Sequence, residues 1–448
     1  MNDSSLEKVI FMLERKAYSQ MKAWKNTSSK KALLITGARQ VGKTYLTRQF
    51  AQENYEMLLE INLIEQPEAT KLFSSPKTAA DIVSRLGLAA GKKLIPGKSL
   101  VFIDEIQNCP EVMTAIKFLV DEGSFDYVLS GSLLGTELRD VRSVPVGYVR
   151  ELKMFPLDFE EFCWSQGVEK TLLPSLKSNL VNAEPINEFV HTKLLDLFYR
   201  YLVVGGMPDA VAQYCEDADF LAVRQVQSDI RAYYRHDISQ YCLEADRLHV
   251  REVFDLIPSE LNNSNKRFIL KNLNENARFR EFSDAFIWLD NAGVALPTYN
   301  VDEPVAPLLA SKKRNLFKLL SSDVGLLNSC YSTATSLAIL DGGDGVNCGA
   351  MFENAVAQEL FAHGFSLYYF NSKKHGELDF VVEDRDGRVI PIEVKSGKSY
   401  TRHRALSNIM EVTNYNFDCA YVFGPNNIEA KNGITYAPIY MVSLLHND

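Results

Sequence analysis

Near the N-terminus of this chain the apolar run Ala32-Leu33-Leu34-Ile35-Thr36 leads straight into Gly37-Ala38-Arg39-Gln40-Val41-Gly42-Lys43-Thr44. A short apolar run that stops at glycine reads as a buried parallel strand. The eight residues after it satisfy G-x-x-x-x-G-K-[ST] at each fixed position. Gly37 and Gly42 let backbone N–H groups curl around phosphate oxygens with no Cβ in the way. Lys43 supplies a positive charge for the β and γ phosphates, and Thr44 offers a hydroxyl to Mg²⁺. Ala38, Arg39, Gln40 and Val41 complete the cradle. The helix expected over 44–52 aims its positive end at the anion. The strand before and the helix after are the context that separates a phosphate loop from an ordinary glycine-rich turn.

Two later strands complete the chemistry. Leu100-Val101-Phe102-Ile103-Asp104-Glu105 is an apolar strand ending in two carboxylates, which puts them at the carboxyl edge of the sheet beside the loop. Asp104 is expected to hold Mg²⁺ through water, and Glu105 to act as general base on the attacking water. An acidic helix cap after a strand would look the same; the upstream loop favours the metal reading. Val128-Leu129-Ser130-Gly131-Ser132 ends in small hydroxyls. Ser130 or Ser132 is expected at the γ-phosphate or the lytic water, with a plain strand-to-turn transition as the alternative. Arg139, Arg142 and Arg150 follow, and any of them would serve to reach a phosphate in cis or in trans. Candidate strands at 32–36, 57–63, 99–103 and 127–130, separated by helical stretches, imply an α/β fold with a parallel sheet covered on both faces.

Composition narrows the remainder. A chain of 448 residues predicts two to four domains. Its formal net charge of -9 does not favour nucleic acid, so any such contact needs a local basic patch. The 7 cysteines include no Cys-x-x-Cys pair, which argues against a structural zinc site or a secreted disulfide framework and for a reducing cytoplasm. Residues 1–16 lack the apolar core of a signal peptide, and no apolar run approaches the roughly 18 residues of a membrane span. Beyond about residue 156 the pattern turns helical, at 159–164 and 187–203, with a sharp break at Gly205-Gly206-Met207-Pro208. Short elements at 250–261, 269–272 and 282–292, then an extended run at 294–299, suggest a winged helix-turn-helix.

A second cluster of chemistry lies near the C-terminus. Gly376-Glu377-Leu378-Asp379-Phe380 is followed by Asp386-Gly387 and then Ile392-Glu393-Val394-Lys395. Asp-Gly between apolar runs signals a hairpin, in which partner numbers sum to about 773. Asp379 then lies within about one position of Glu393. Side chains alternate, so Glu393 and Lys395 share one face while Ile392 and Val394 face a core. Asp379 and Glu393 would take Mg²⁺ through hard oxygens, with Lys395 orienting the water or steadying the developing anion. Glu353, on the helix that opens this unit, would complete the set. A charged solvent face on a hairpin would look the same, and a fold of this kind can bind nucleic acid without cutting it.

The loop, Ile103-Asp104-Glu105-Ile106-Gln107, Ser130-Gly131-Ser132, Pro156-Leu157-Asp158-Phe159-Glu160-Glu161-Phe162, Gly205-Gly206-Met207-Pro208, Phe317-Lys318-Leu319 and Asp323-Val324-Gly325-Leu326-Leu327 together resemble a prokaryotic AAA+-type ATPase family. Its members pair the ATPase with a C-terminal domain of unknown function. The C-terminal strings resemble the PD-(D/E)xK nuclease motif, with Leu378 where a proline often stands. The resemblance implies a five-stranded ATPase core over 1–165, a helical lid over 166–245, a winged helix over 246–348 and a restriction-endonuclease-like domain over 349–448. It implies ATP as the nucleotide, and no guanine-reading N-K-x-D string stands near the core. Local basic clusters at Lys266-Arg267, Lys271, Arg278, Arg280 and Lys312-Lys313-Arg314, and at Lys395, Lys398, Arg402, His403 and Arg404, are candidate phosphate contacts for DNA or RNA; scattered solvated cations are the alternative. The expectation is an ATP-binding and hydrolysing ATPase coupled to a nucleic-acid-interacting, metal-dependent nuclease-like domain, with a homo-oligomer as a further expectation. The alternative is an ATP-dependent binding switch, or a signalling or defence ATPase, whose C-terminal domain does not cleave.

Overall fold

Strands that are apolar on both faces need helices on both sides, and a chain alternating the two builds a parallel sheet. The computed structural model describes residues 13–28, 30–74, 78–91, 93–132, 147–263, 266–273, 275, 278–343, 345–397 and 399–447. Its first part runs α1 (Lys16–Lys25), β1 (Ala32–Thr36), α2 (Lys43–Asn54), β2 (Met57–Asn62), α3 (Ala79–Ala89), β3 (Ser99–Asp104), α4 (Glu111–Glu122), β4 (Asp126–Gly131) and β5 (Val149–Lys153). The five strands pair in parallel in the order β2-β3-β4-β1-β5. β3 is buried at every position. On one face Ile82, Leu86, Val112, Ile116 and Leu119 of α3 and α4 cover the sheet. On the other, Met21, Trp24, Leu46 and Phe50 of α1 and α2 do so. The sequence does not announce β5, because only Leu152 of its five residues is buried. An edge strand with one buried side chain has no alternation to read.

A helical region follows, with α5 (Phe159–Ser165), α6 (Glu188–Val204), α7 (Pro208–Asp217), α8 (Phe220–Tyr241), α9 (Arg247–Asn262) and α10 (Phe279–Asn291). Asp158 and Glu161 form a capping box on α5, satisfying backbone N–H groups that the first turn leaves open. At the expected break, the Gly206 N–H donates to Asp323 Oδ2 at 2.6 Å, and Pro208 opens α7.

The rest forms a second sheet. β6 (Ala295–Val301), β7 (Lys312–Ser321), β8 (Tyr368–Ser372), β9 (Gly376–Glu383), β10 (Val389–Val394), β11 (Tyr421–Gly424), β12 (Glu429–Lys431) and β13 (Ile434–Pro438) lie in the order β12-β13-β11-β10-β9-β8-β6-β7. β6 pairs antiparallel with β7 and parallel with β8, where Tyr299 meets Tyr368. The units expected over 246–348 and 349–448 therefore share one sheet. α11 (Gly349–Ala362) is buried from Ala350 to Leu360. Around it one apolar cluster runs from Leu157 to Leu444, through the helical region and this sheet; a separate cluster with Val301, Phe370 and Val422 also packs on this sheet, and the first sheet keeps its own clusters.

Candidate functional site

The loop between β1 and α2 has the shape its glycines permit. Gly37 has φ +139°, and a Cβ there would sit 2.1 Å from the Met154 carbonyl oxygen. Gly42 caps α2 with φ +92°. Both conformations are ones that residues with a Cβ rarely adopt. Lys43 is buried and its Nζ donates across the loop to the carbonyls of Gly37 at 3.0 Å and Ala38 at 2.7 Å. Burial pushes its ammonium down to about 8, against the pull of Glu105 and Asp104. A cavity of about 450 Å³ opens beside the loop, lined among others by Lys43, Thr44, Glu105, Leu13, Pro208 and Asp209. That volume suits a nucleotide-sized ligand.

The Thr44 hydroxyl donates to Asp104 Oδ2 at 2.7 Å. This brings two hard oxygen ligands together at the base of the loop, a donor set that fits Mg²⁺. Ser130 is fully buried and its hydroxyl donates to Asp104 Oδ1. The Ser130 hydroxyl is thus engaged with the carboxylate expected at the metal. The Ser132 hydroxyl donates to Glu105 Oε2 at 3.2 Å and accepts from Arg39 Nε at 3.3 Å. Gln107 Nε2 donates to the same Glu105 oxygen at 2.6 Å. Glu105 itself has φ +57°, a strained backbone of the kind that persists at functional sites.

The fold also brings in residues that the sequence reading missed. Arg15 donates to the Val41 carbonyl at 3.0 Å and the Phe155 carbonyl at 2.6 Å, and pairs with Glu161 at 3.1 Å. Asp237 and Tyr234 on α8 meet Arg39: the carboxylate pairs with its guanidinium, and the tyrosine hydroxyl donates to its carbonyl at 3.1 Å. A lone carboxylate on a helix carries no local signal, and Asp237 lies 198 residues from Arg39. Of the three candidate arginines, Arg139 and Arg142 lie outside the described residues. Arg150 is exposed on edge strand β5 and does not line the cavity.

In the C-terminal sheet β9 and β10 pair from Val389–Glu383 to Ile392–Phe380, so the next step sets Glu393 opposite Asp379. Lys395 Nζ lies 2.6 Å from Glu393 Oε1, and the Val394 N–H donates to Asp379 Oδ2 at 2.9 Å. Glu353 joins them from α11. The expected residues do converge, but a cation is already among them. Lys318 of β7 is 1% exposed, and its Nζ lies 3.0 Å from Glu377, 3.5 Å from Glu353 and 3.9 Å from Asp379. Lys266 pairs with Glu353, and Arg267 lies 3.8 Å from Glu377. Burial tends to raise the Glu353 carboxyl, but Lys318 and Lys266 outweigh it and hold it low. Burial, with Glu353 and Glu393 nearby, pushes Asp379 well up. Among the described residues no three acidic, histidine or cysteine side chains form a metal shell. As arranged, Glu353, Asp379 and Glu393 do not fit Mg²⁺, because Glu353 and Asp379 share the Lys318 ammonium and Glu393 pairs with Lys395.

The basic clusters divide accordingly. Lys266 and Arg267 serve the carboxylates, and His403 is buried with Nε2 2.6 Å from the Tyr436 hydroxyl. Lys313 pairs with Asp302. Lys271, Arg278, Arg280, Arg314, Arg402 and Arg404 are exposed, and Lys398 lies outside the described residues. Among the described residues no helix is long and apolar enough to cross a membrane.

Residues 29–163 match the AAA domain family. Residues 195–336 and 348–442 match two domains of unknown function, DUF8612 and DUF4143. Among curated proteins none matches the chain. Similar solved structures include the Walker-type ATPase PABY2304 of Pyrococcus abyssi, at 14% identity and TM-score 0.42, covering 71% of this chain and 95% of that one. The Aeropyrum pernix ORC1 protein in complex with DNA follows at 14% and 0.29, covering 72% and 91%. C. elegans PCH-2 stands at 14% and 0.26, covering 47% and 66%. The family match and the loop geometry agree: residues 29–163 are an AAA-type P-loop ATPase domain, continued by two domains of unknown function.

Proposed function

We propose that this protein binds ATP with Mg²⁺ at the phosphate loop, hydrolyses it with Glu105, and transmits the change through its helical region to a nucleic-acid-contacting C-terminal unit. The observation that carries the ATPase half is the pairing of Thr44 with Asp104 and of Glu105 with Ser132, Thr44 and Glu105 both lining the cavity. Loop N–H groups and Lys43 bind the β and γ phosphates. Thr44, and Asp104 through water, would hold Mg²⁺, which neutralises phosphate charge when bound. Glu105 orients the attacking water and takes its proton, while Ser132 and Gln107 hold the carboxylate in place. Glu105→Gln should keep ATP affinity and lose roughly 10²-fold or more in turnover. Phosphate release at the wild-type rate would remove Glu105 from this role.

Support for the C-terminal half is of another kind. Helices α9 and α10 followed by the β6–β7 hairpin follow the order of a winged helix, and exposed Lys271, Arg278, Arg280 and Arg314 lie on or beside them. Two readings of the carboxylate cluster compete, a metal-dependent nuclease and an ATP-dependent binding switch. Lys318, seated among the carboxylates, favours the switch.

A further inference from the structure

Gly205-Gly206-Met207-Pro208 breaks the helical region, and the turn it makes touches two distant parts of the chain. Gly206 is held on both sides. Its N–H donates to Asp323 Oδ2 at 2.6 Å, and its carbonyl accepts from the Leu157 N–H at 2.7 Å. The approach is close. A Cβ on Gly206 would fall 2.0 Å from the Leu157 carbonyl oxygen, and one on Gly325 would fall 2.4 Å from the Val204 carbonyl oxygen. Three stretches of backbone therefore cross with no room for a side chain between them. Asp323 joins two of the three. It is fully buried, and its other oxygen accepts from the Leu326 N–H at 2.8 Å, capping the short helix Val324–Asn328. Burial pushes its carboxyl up to about 6, while the N–H groups favour the charged form. A buried carboxylate bonded in this way fixes its donors in place, because moving either one away leaves the charge uncompensated.

Two residues beyond Gly206 the chain reaches the nucleotide cavity. Pro208, Asp209 and Ala212 of α7 line it, and Pro208 Cγ lies 3.7 Å from where a Cβ on Gly42 of the phosphate loop would stand. In the other direction Asp323 follows the end of β7. Asn354 of α11 ties that end down, accepting from the Ser321 N–H at 2.8 Å and donating to the Ser321 carbonyl at 3.0 Å. Further back on the same strand, Lys318 pairs with Glu353, Glu377 and Asp379. We propose that Asp323 is a positioning residue for nucleotide binding, which fixes the Pro208 wall of the cavity and couples it to β7 and α11. This rests on the ATPase reading above, and it names the joint between the cavity and the C-terminal sheet. A wall that is already held costs less to order when the ligand arrives. The coupling is reciprocal, so a nucleotide packed against Pro208 and Ala212 steadies Asp323 and the end of β7 in turn. Asp323 does not line the cavity; it acts through Gly206 and the turn that follows.

The test uses the full chain, a non-hydrolysable ATP analogue with Mg²⁺, calorimetry for affinity, and amide hydrogen exchange read by mass spectrometry. In the wild type the analogue should slow exchange about threefold or more over residues 42–46 and 205–212, and also over 321–328, outside the cavity. Slowing confined to 42–46 and 205–212 would overturn the coupling. Asp323→Asn keeps one acceptor oxygen and leaves one of the two N–H groups without its partner. It should weaken analogue binding about tenfold. At saturating analogue it should keep the slowed exchange over 42–46 and lose it over 321–328. A lower urea midpoint with wild-type affinity would show a structural role only, and would overturn the positioning role. If Asp323→Asn does not fold, Pro208→Ala tests the same link from the cavity side. At saturating analogue it should reduce the slowing over 321–328 while sparing 42–46, and full slowing at both would overturn the link. A wild-type chain that binds no analogue, and so matches Lys43→Ala, would overturn the ATPase reading itself, and this role with it.

Discussion

An ammonium group taken out of water costs several kcal/mol unless anions surround it, and clustered carboxylates carry the same cost with the opposite sign. Lys318 and its neighbours solve both problems at once. Its Nζ sits among Glu353, Glu377 and Asp379, with the Tyr369 ring 5.1 Å away. Burial alone would lower its pKa, but the carboxylates outweigh that and raise it. Lys318→Met should destabilise the chain by about 3–5 kcal/mol, because it leaves buried carboxylates facing one another. Urea unfolding at neutral pH measures the loss, and added Mn²⁺ should restore part of it by entering the vacated position. Wild-type stability in the variant would mean that the cluster does not depend on this charge. Phe317-Lys318-Leu319 is visible as a string, but its task is not. Nothing local reveals that β7 will lie against α11 and face β9.

At the scale of elements, the first turn of α5 is where three parts of the chain meet. Lys16 of α1 lies 2.7 Å from Asp158, and His363, just after α11, lies 3.2 Å from it. Glu359 of α11 accepts from the Phe159 N–H at 2.8 Å and from the Tyr201 hydroxyl of α6 at 3.2 Å. Burial, with Asp158 close by, pushes the Glu359 carboxyl up to about 7. Burial would lower His363, but Asp158 outweighs it and raises it. Both groups keep a proton in the folded chain at a pH where the unfolded chain has released it. Stability therefore falls as pH rises, for Glu359 between its ordinary 4.5 and about 7, and for His363 upward from its ordinary 6.5. Asp158 is held low, by Lys16 and His363 against the effect of burial, and stays ionised throughout this window. Glu359→Gln should flatten the decline between about pH 5 and 7, which urea midpoints taken at several pH values would show. An unchanged slope would place the proton elsewhere. The capping box itself, Asp158 with Glu161, is legible in the sequence as an acidic start to an apolar helix; its link to a helix 200 residues onward is not.

At the scale of the whole molecule, the shared sheet decides what can be separated. A chain cut after residue 348 loses β8 from the edge of β6 and α11 from the middle of the large apolar cluster. Such a fragment exposes an unpaired strand and an open core, both of which favour aggregation. We expect residues 1–348 to elute from size exclusion as aggregate, without a cooperative unfolding transition. A monomeric fragment that unfolds cooperatively would show that the two C-terminal regions are independent after all.

The sequence alone determined what depends on neighbours along the chain. The phosphate loop, the buried strands β1 and β3, the carboxylates at the end of β3 and the hairpin that sets Asp379 against Glu393 all follow from local pattern, since turn residues and side-chain alternation specify register over a few positions. Tertiary structure decided what depends on distant chain segments. Edge strand β5 had too little burial to leave a pattern. The joining of β6 to β8 merged two expected units. Asp237 reached Arg39, and Lys318 entered the carboxylate cluster, because packing carried them there. A single charged residue in a helix or strand has no periodicity of its own, so its partner is known only once the chain has closed on itself.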